Sequence, residues 1–395
     1  MTQPLVDVKN SKASTKQNRK RHDMIHLYVE HLLNIKTLSI QASLTTVSNK
    51  ETKATISADG AILTLTHEGE TASVKLPVNV SPRKQSNITL TLPAVPSREL
   101  SFRVQLEEKE GQGHGAFPDG DRDGGNVVPW TAEVLTPETE IRCRYCDSIL
   151  VSRGMIRTWK NLPSEGWAEM MEFWHCHKPH EPHSHSKGEV QKGYTASSQL
   201  ALESGVGMTA TLHSDGQGGD SGILCSQCKT TTGLFEASTG AYNLSKLHLS
   251  VSTNPTSSTA NHETQKWLAC LLLCAMDIQG VRKFVVRKNA DDASVLRLWI
   301  FTPDINVSSS AISSTESGRF AKVLWQHTED PQRGSDKLNA ASLSEGELKL
   351  QGGEMKMLCA MLKKGGELMP EAARHFQDWN VGLLERFTAS DIAPS

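Results

Sequence analysis

Two short stretches, "CRYC" at 143–146 and "CSQC" at 225–228, constrain the fold of this 395-residue chain more than any other feature. Two residues between thiolates let one tight turn present both sulfurs to a single tetrahedral ion, and two such turns complete a four-cysteine site. Residues 147–224 separate the pairs, far more chain than a compact zinc ribbon uses. The fold must therefore join two distant turns and carry what lies between them as an insertion. Structural zinc on Cys143, Cys146, Cys225 and Cys228 is the expectation, with two independent thiol turns or a redox pair as the alternatives.

Compartment supports metal over disulfides. No apolar stretch approaches the length of a membrane span, and the N-terminus lacks the apolar region of a secretory signal. A cytoplasmic and nuclear protein without membrane contact is expected, and in such reducing surroundings eight cysteines are poor disulfide candidates. Lys+Arg 42 against Asp+Glu 44 leaves a formal charge of −2, which supplies no global field toward nucleic acid. Few aromatics interleave with basic residues, so direct nucleic-acid binding is not expected. Basic character is confined to "KNSKASTKQNRKRH" (Lys9 to His22). Without periodic apolar residues, segment 1–22 reads as a disordered tail, or alternatively as a nuclear-import signal.

Hydrophobic periodicity divides the rest. Ile25, Tyr28, Val29 and Leu32 fall at helical spacing, after which strict alternation at Leu38, Ile40, Ala42 and Leu44 predicts a strand. Alternation returns at Val74, Leu76, Val78 and Val80, at Ile88, Leu90 and Leu92, and at Phe102, Val104 and Leu106. Segment 23–135 is thus expected to be a β-rich domain. Within it, "GQGHGAFPDGDRDGGN" imitates the opening of a calcium loop at Asp119, Asp121, Asp123 and Gly124, but Trp130 stands where the closing glutamate belongs, so a solvated loop is expected. Segment 136–255 holds most of the Cys and His, with a Gly/Ser/His-rich insertion over 179–222 that looks exposed. Segment 256–395 begins with a helical stripe at Trp267, Leu271, Cys274, Ala275 and Ile278, continues with strands at "KFVVR", "SVLRLWIF" and "AKVLW", and returns to helical patterns from Glu354 to the end. The class is α+β: a β-rich N-terminal domain, a central zinc-bearing segment and an α+β C-terminal domain.

A second chemical signal lies at 162–180, "LPSEGWAEMMEFWHCHKPH". Pro163 and Ser164 start a helix on which Trp167, Met170, Met171 and Trp174 share one face, suited either to a core or to a partner-binding surface. Continued helix would put Cys176 opposite Trp167, on the side of Glu165, Glu169 and Glu172, where carboxylates disfavour the thiolate. His175 and His177 act the other way. Packing, metal ligation together with His177, and covalent catalysis all stay open for Cys176. Cys270, Cys274 and Cys359 sit on apolar helical faces and read as core.

These residues also carry a resemblance. "LPSEGWAEMMEFWHCHKP" is similar to the signature of the HECT-like ubiquitin-conjugating-enzyme-binding proteins. "IRCRYC", "ILCSQCKTTTGLFEASTGAYNLSKLHL", "LRLWIF", "KVLW" and "ELMPEAARHFQDWNVGLLERF" resemble further blocks of that family in the same order, roughly from Cys143 to Phe387. The resemblance implies a ubiquitin ligase whose partners are a charged ubiquitin-conjugating enzyme, ubiquitin and a protein substrate, with a thioester on a ligase cysteine. Cys176, assisted by His177, is the candidate for that role. It also implies a link to the endonuclease of pre-mRNA 3'-end cleavage, so the alternative function is a non-catalytic, zinc-stabilised adaptor or stability factor for that enzyme. The chain differs from a true HECT domain in lacking a recognisable bilobal domain of that length.

Overall fold

The computed structural model describes residues 25–80, 87–106, 125–162, 192–202, 209–213, 221–236, 240–256, 259–287, 294–312, 317–329, 344–350 and 353–392. The architecture is mostly β. Among the described residues there are two α-helices, Thr264–Gln279 and Glu354–Gly366, less helix than the expected α+β class implies.

A nine-stranded sheet organises the molecule. From one edge it runs His375–Phe376, Trp379–Glu385, Gly318–Glu329, Ser294–Ser309, Ile25–Leu32, Thr37–Leu44 and Glu99–Gln105, while Lys283–Val286 pairs with both Ser294–Ser309 and Glu345–Glu347. Strands from segments 23–135 and 256–395, read separately in the sequence, therefore lie in one sheet. The junction is antiparallel, with Tyr28 opposite Ser309 on one side and Gln41 on the other.

That junction corrects the helix expected over Ile25 to Leu32, which is a strand. Pairing on both edges and packing on both faces bury Leu27, Tyr28, Val29 and Glu30 consecutively, and a doubly covered strand loses the alternation that marks a half-buried one. Thr37–Leu44 keeps its alternation because it buries Leu38, Ile40, Ala42 and Leu44 on one side only. Those side chains pack against Ile56, Leu63 and Leu65 of a four-stranded sheet made by Glu70–Lys75, Ile62–His67, Lys53–Ile56 and Ile88–Leu90.

The central segment builds two more sheets. Seven strands, in the order Thr158–Asn161, Lys192–Thr195, Gln199–Leu202, Ala241–Ser245, Thr231–Glu236, Ser221–Cys225 and Ala210–His213, form one, and Leu249–Ser252, Glu140–Cys143 and Ile149–Val151 the other. Three of these strands fall within the stretch 179–222 that the sequence marked as exposed insertion, and Leu200 and Leu202 are buried. The stretch is therefore not one wholly solvated loop.

In the last segment the three expected strands are present, and the Trp267 stripe is the helix Thr264–Gln279. Gly280 closes that helix at φ 65, its N–H bonded to Met276 O, a left-handed cap that glycine adopts without a Cβ clash. The helical pattern from Glu354, however, stops at Gly366. Residues Trp379–Glu385 form a strand between Gly318–Glu329 and His375–Phe376, again hidden from periodicity because Val381, Leu383 and Leu384 are buried on both of its faces. The Glu354–Gly366 helix lies directly on this strand: a Cβ on Gly365 would fall 1.8 Å from Leu383 O, and one on Gly382 would fall 2.6 Å from Leu362 O.

Candidate metal centre

Each Cys-x-x-Cys turn closes a hairpin. Cys143 ends Glu140–Cys143, whose partner Ile149–Val151 follows the first turn; Cys225 ends Ser221–Cys225, whose partner Thr231–Glu236 follows the second. The two turns repeat one hydrogen-bond pattern. Cys143 N–H donates to Ser148 O and Asp147 N–H to Cys143 O; Cys225 N–H donates to Thr230 O and Lys229 N–H to Cys225 O, all at 2.9 Å. Asp147 (φ 57) and Lys229 (φ 60) take the left-handed conformation at matching positions, which reverses the chain after the second cysteine of each pair.

The turns face each other. Cys143 Sγ lies 3.7 Å from Cys228 Sγ, Cys146 Sγ lies 3.6 Å from Cys225 Sγ, and all four sulfurs fall within 4.8 Å of one another. A tetrahedral ion with metal–sulfur bonds of about 2.3 Å requires sulfurs about 3.8 Å apart, whereas a disulfide requires about 2.05 Å. The spacing fits a shared metal and not two cystines. Among the described residues this is the one Cys, His, Asp and Glu cluster with such geometry.

Hydroxyls and backbone N–H groups surround the sulfurs. Ser148 Oγ is 3.1 Å from both Cys146 Sγ and Cys225 Sγ, and Thr230 Oγ1 is 3.3 Å from Cys228 Sγ. Burial pushes the Cys143 thiol up to about 12. At Cys225 burial acts in the same direction but is outweighed by hydrogen bonds from Ser148 and the N–H groups of Cys228 and Gln227, which bring its thiol down to about 6. The Thr230 hydroxyl lowers Cys228 in the same way.

The first turn is tied to the rest of the molecule through a hydrogen-bonded chain that runs from exposed Tyr145 to buried His248 and Glu354. Tyr145 Oη is 2.9 Å from His248 Nδ1, and His248 Nε2 is 3.0 Å from Glu354 Oε1, which also accepts from Ser245 Oγ at 3.1 Å. Glu354 opens the helix Glu354–Gly366, so the metal turn and that helix share one polar network. Close by, fully buried Lys246 donates to Trp130 O at 3.0 Å and sits 4.1 Å over the Trp130 ring, a desolvated cation held by a carbonyl and a π face.

The four ligand cysteines expected from the sequence are therefore brought together. Cys176, His177, Trp167, Met170, Met171 and Trp174, together with Asp119, Asp121 and Asp123, lie outside the described residues. Cys270 and Cys274 are buried at 1% and 6% exposure, as a core reading requires. Cys359 is only half-buried, and its Sγ lies 3.9 Å from His327 Nε2. Sequence reasoning missed Ser148, Thr230, Tyr145, His248 and Glu354. A signal existed for the first two, because a hydroxyl residue follows each pair at the same offset in "CRYCDS" and "CSQCKT".

The chain resembles known proteins over most of its length. The chain is 25% identical over 280 residues to the uncharacterized protein C1734.10c of Schizosaccharomyces pombe, covering 66% of this chain and 78% of that one. It is 22% identical over 372 residues to the uncharacterized protein YJR141W of Saccharomyces cerevisiae, covering 91% and 98%. No solved structure matches. The model of the HECT-like ubiquitin-conjugating enzyme (E2)-binding family matches residues 30–381, which span both the nine-stranded sheet and the metal turns. The chain belongs to the HECT-like ubiquitin-conjugating enzyme (E2)-binding family.

Proposed function

We propose that this protein is a ubiquitin-protein ligase that binds a charged ubiquitin-conjugating enzyme and promotes transfer of ubiquitin to protein lysines, with zinc as a structural cofactor. The observation that carries this reading is the family match over residues 30–381, because E2 binding is the property the family is described by. Zinc is the metal best suited to four thiolates in a tetrahedral array, and Cys143, Cys146, Cys225 and Cys228 would hold it. A donor set of four protein thiolates leaves no coordination position for substrate, so the ion stabilises the fold and the acyl chemistry falls to side chains elsewhere.

A second reading is a non-catalytic adaptor or stability factor for the pre-mRNA 3'-end cleavage endonuclease. The closed metal site and the Tyr145–His248–Glu354 chain, buried at His248 and Glu354, favour it, since both are features of a rigid scaffold. Fluorescence anisotropy with a labelled, ubiquitin-charged conjugating enzyme separates the two. Saturable binding together with faster loss of ubiquitin to lysine supports the ligase; tight capture of the endonuclease with no effect on charged conjugating enzyme supports the adaptor.

A further inference from the structure

We infer that Cys359 and His327 form a nucleophile and base pair that receives the ubiquitin acyl group, an inference that rests on the ligase reading above and names its acceptor thiol. Among the described cysteines, four belong to the metal cluster and two are enclosed in the Thr264–Gln279 helix. Among the described cysteines Cys359 is the one outside the cluster that reaches solvent.

Its surroundings are built from two elements. Cys359 lies on the helix Glu354–Gly366, held flat against Trp379–Glu385 by the glycine contacts at Gly365 and Gly382. His327 comes from the neighbouring strand Gly318–Glu329, is exposed, and places Nε2 3.9 Å from the Cys359 sulfur. Trp325, two residues earlier on the same strand face, meets the His327 ring edge-on with centroids 6.2 Å apart and so packs on one side of the imidazole. The indole nitrogen of Trp325 is buried without an acceptor among the described residues, an unused donor next to the pair. A nucleophile, a base within reach and a third group orienting the base make up the general arrangement for covalent catalysis.

Charge completes the site. Lys356 and Lys363, both exposed, flank Cys359 at i−3 and i+4 on the helix, while exposed Glu329 follows His327 on the strand. Burial raises the Cys359 thiol, so a preformed thiolate is scarce and removal of the proton during attack matters. In the step proposed, Cys359 Sγ attacks the thioester carbonyl carbon of the charged conjugating enzyme while His327 Nε2 takes the thiol proton. The tetrahedral adduct then breaks its bond to the conjugating enzyme's sulfur, which leaves as a thiolate and receives that proton from His327. The products are a ubiquitin thioester on Cys359 and a free thiol on the conjugating enzyme, with no net oxidation or reduction. A lysine amine next attacks this thioester, forms the amide bond and releases the Cys359 thiol.

The test combines the full-length protein with ubiquitin-charged conjugating enzyme on a non-reducing gel. Wild type and Cys176→Ser are expected to form a thiol-sensitive ubiquitin adduct, His327→Gln to form it at least tenfold more slowly, and Cys359→Ser to form no thiol-sensitive adduct. Metal content and melting temperature of the variants should match wild type. Iodoacetamide labelling of Cys359, followed by mass spectrometry from about pH 6 to about pH 9, is expected to move to higher pH in His327→Gln. A labelling profile unchanged by that substitution overturns the pairing. Unchanged lysine discharge by Cys359→Ser, or an adduct lost only in Cys176→Ser, overturns this inference and leaves the ligase reading standing. No binding and no discharge by wild type overturns the ligase reading, and this inference with it.

Discussion

His248 and Glu354, 106 positions apart in the chain, meet at 3.0 Å and join the first metal turn to the helix that carries Cys359. Both are buried, at 4% and 2% exposure, so neither can replace the other with water at no cost. Glu354→Ala leaves Ser245 Oγ and His248 Nε2 without their shared acceptor and should lower stability by about 2–3 kcal/mol, while Glu354→Gln keeps an acceptor oxygen and should cost less. Urea unfolding of both variants checks the order; equal midpoints for Glu354→Ala and wild type would contradict it.

Substitutions at the metal turns should separate ligands from their supports. Each of Cys143→Ser, Cys146→Ser, Cys225→Ser and Cys228→Ser should reduce bound zinc, since each removes one of four donors. Tyr145→Phe removes only the bond to His248 and should retain the metal, with a loss of about 1 kcal/mol. Elemental analysis of purified protein, alongside thermal melts, distinguishes the two classes. Full zinc content in all four cysteine variants would refute the site.

An ion cluster elsewhere sets an acid limit on stability. Burial would raise the Asp304 carboxyl, but hydrogen bonds and charge from Arg319 and Arg386 outweigh it and hold Asp304 below its ordinary 3.8. Arg319 Nε is 2.7 Å and Arg386 Nη1 3.0 Å from Asp304 Oδ1. A carboxylate with a lowered folded value stabilises the fold at pH above the unfolded value and loses that contribution as pH falls through the folded one. Asp304→Asn should therefore destabilise the protein by about 3 kcal/mol at neutral pH, because two nearly buried guanidiniums lose the carboxylate charge of Asp304. Below about pH 4 the difference from wild type should shrink. Melting temperatures measured across that range give the test, and a constant difference would contradict the assignment.

The close seat of the Glu354–Gly366 helix is itself testable. Gly365→Ala must move either the helix or the strand beneath it, since the added Cβ would meet Leu383 O at 1.8 Å. The expected outcome is a loss of about 1–3 kcal/mol and a change in the labelling rate of Cys359, whose distance from His327 depends on that seat. Unchanged stability would show that the contact is loose.

The parts of this arrangement that were legible in the sequence share a physical cause. Thr37–Leu44 alternates because one face is buried, and the Cys-x-x-Cys pairs announce themselves because the two-residue spacing is the one that a single tetrahedral ion would demand. Ile25–Leu32 and Trp379–Glu385 were hidden because burial on both faces erases the period of two, leaving apolar runs that imitate a helix. Nothing local in Tyr28 indicates that its neighbour is Ser309, so the sheet uniting the two ends of the chain was invisible. His248 and Glu354 were missed for the same reason: each looks ordinary in its own segment, and their pairing is a product of tertiary packing.

The most direct measurement of the central claim is single-turnover discharge of ubiquitin from a charged conjugating enzyme onto lysine, with and without this protein. The full-length, zinc-loaded protein should accelerate discharge at least tenfold, a lowering of the barrier by about 1.4 kcal/mol. Removal of the zinc should abolish the effect, because the ion on Cys143, Cys146, Cys225 and Cys228 would hold together the scaffold on which Cys359 and His327 are placed. An unchanged discharge rate with zinc-loaded protein, at concentrations that saturate binding to the conjugating enzyme, would contradict it.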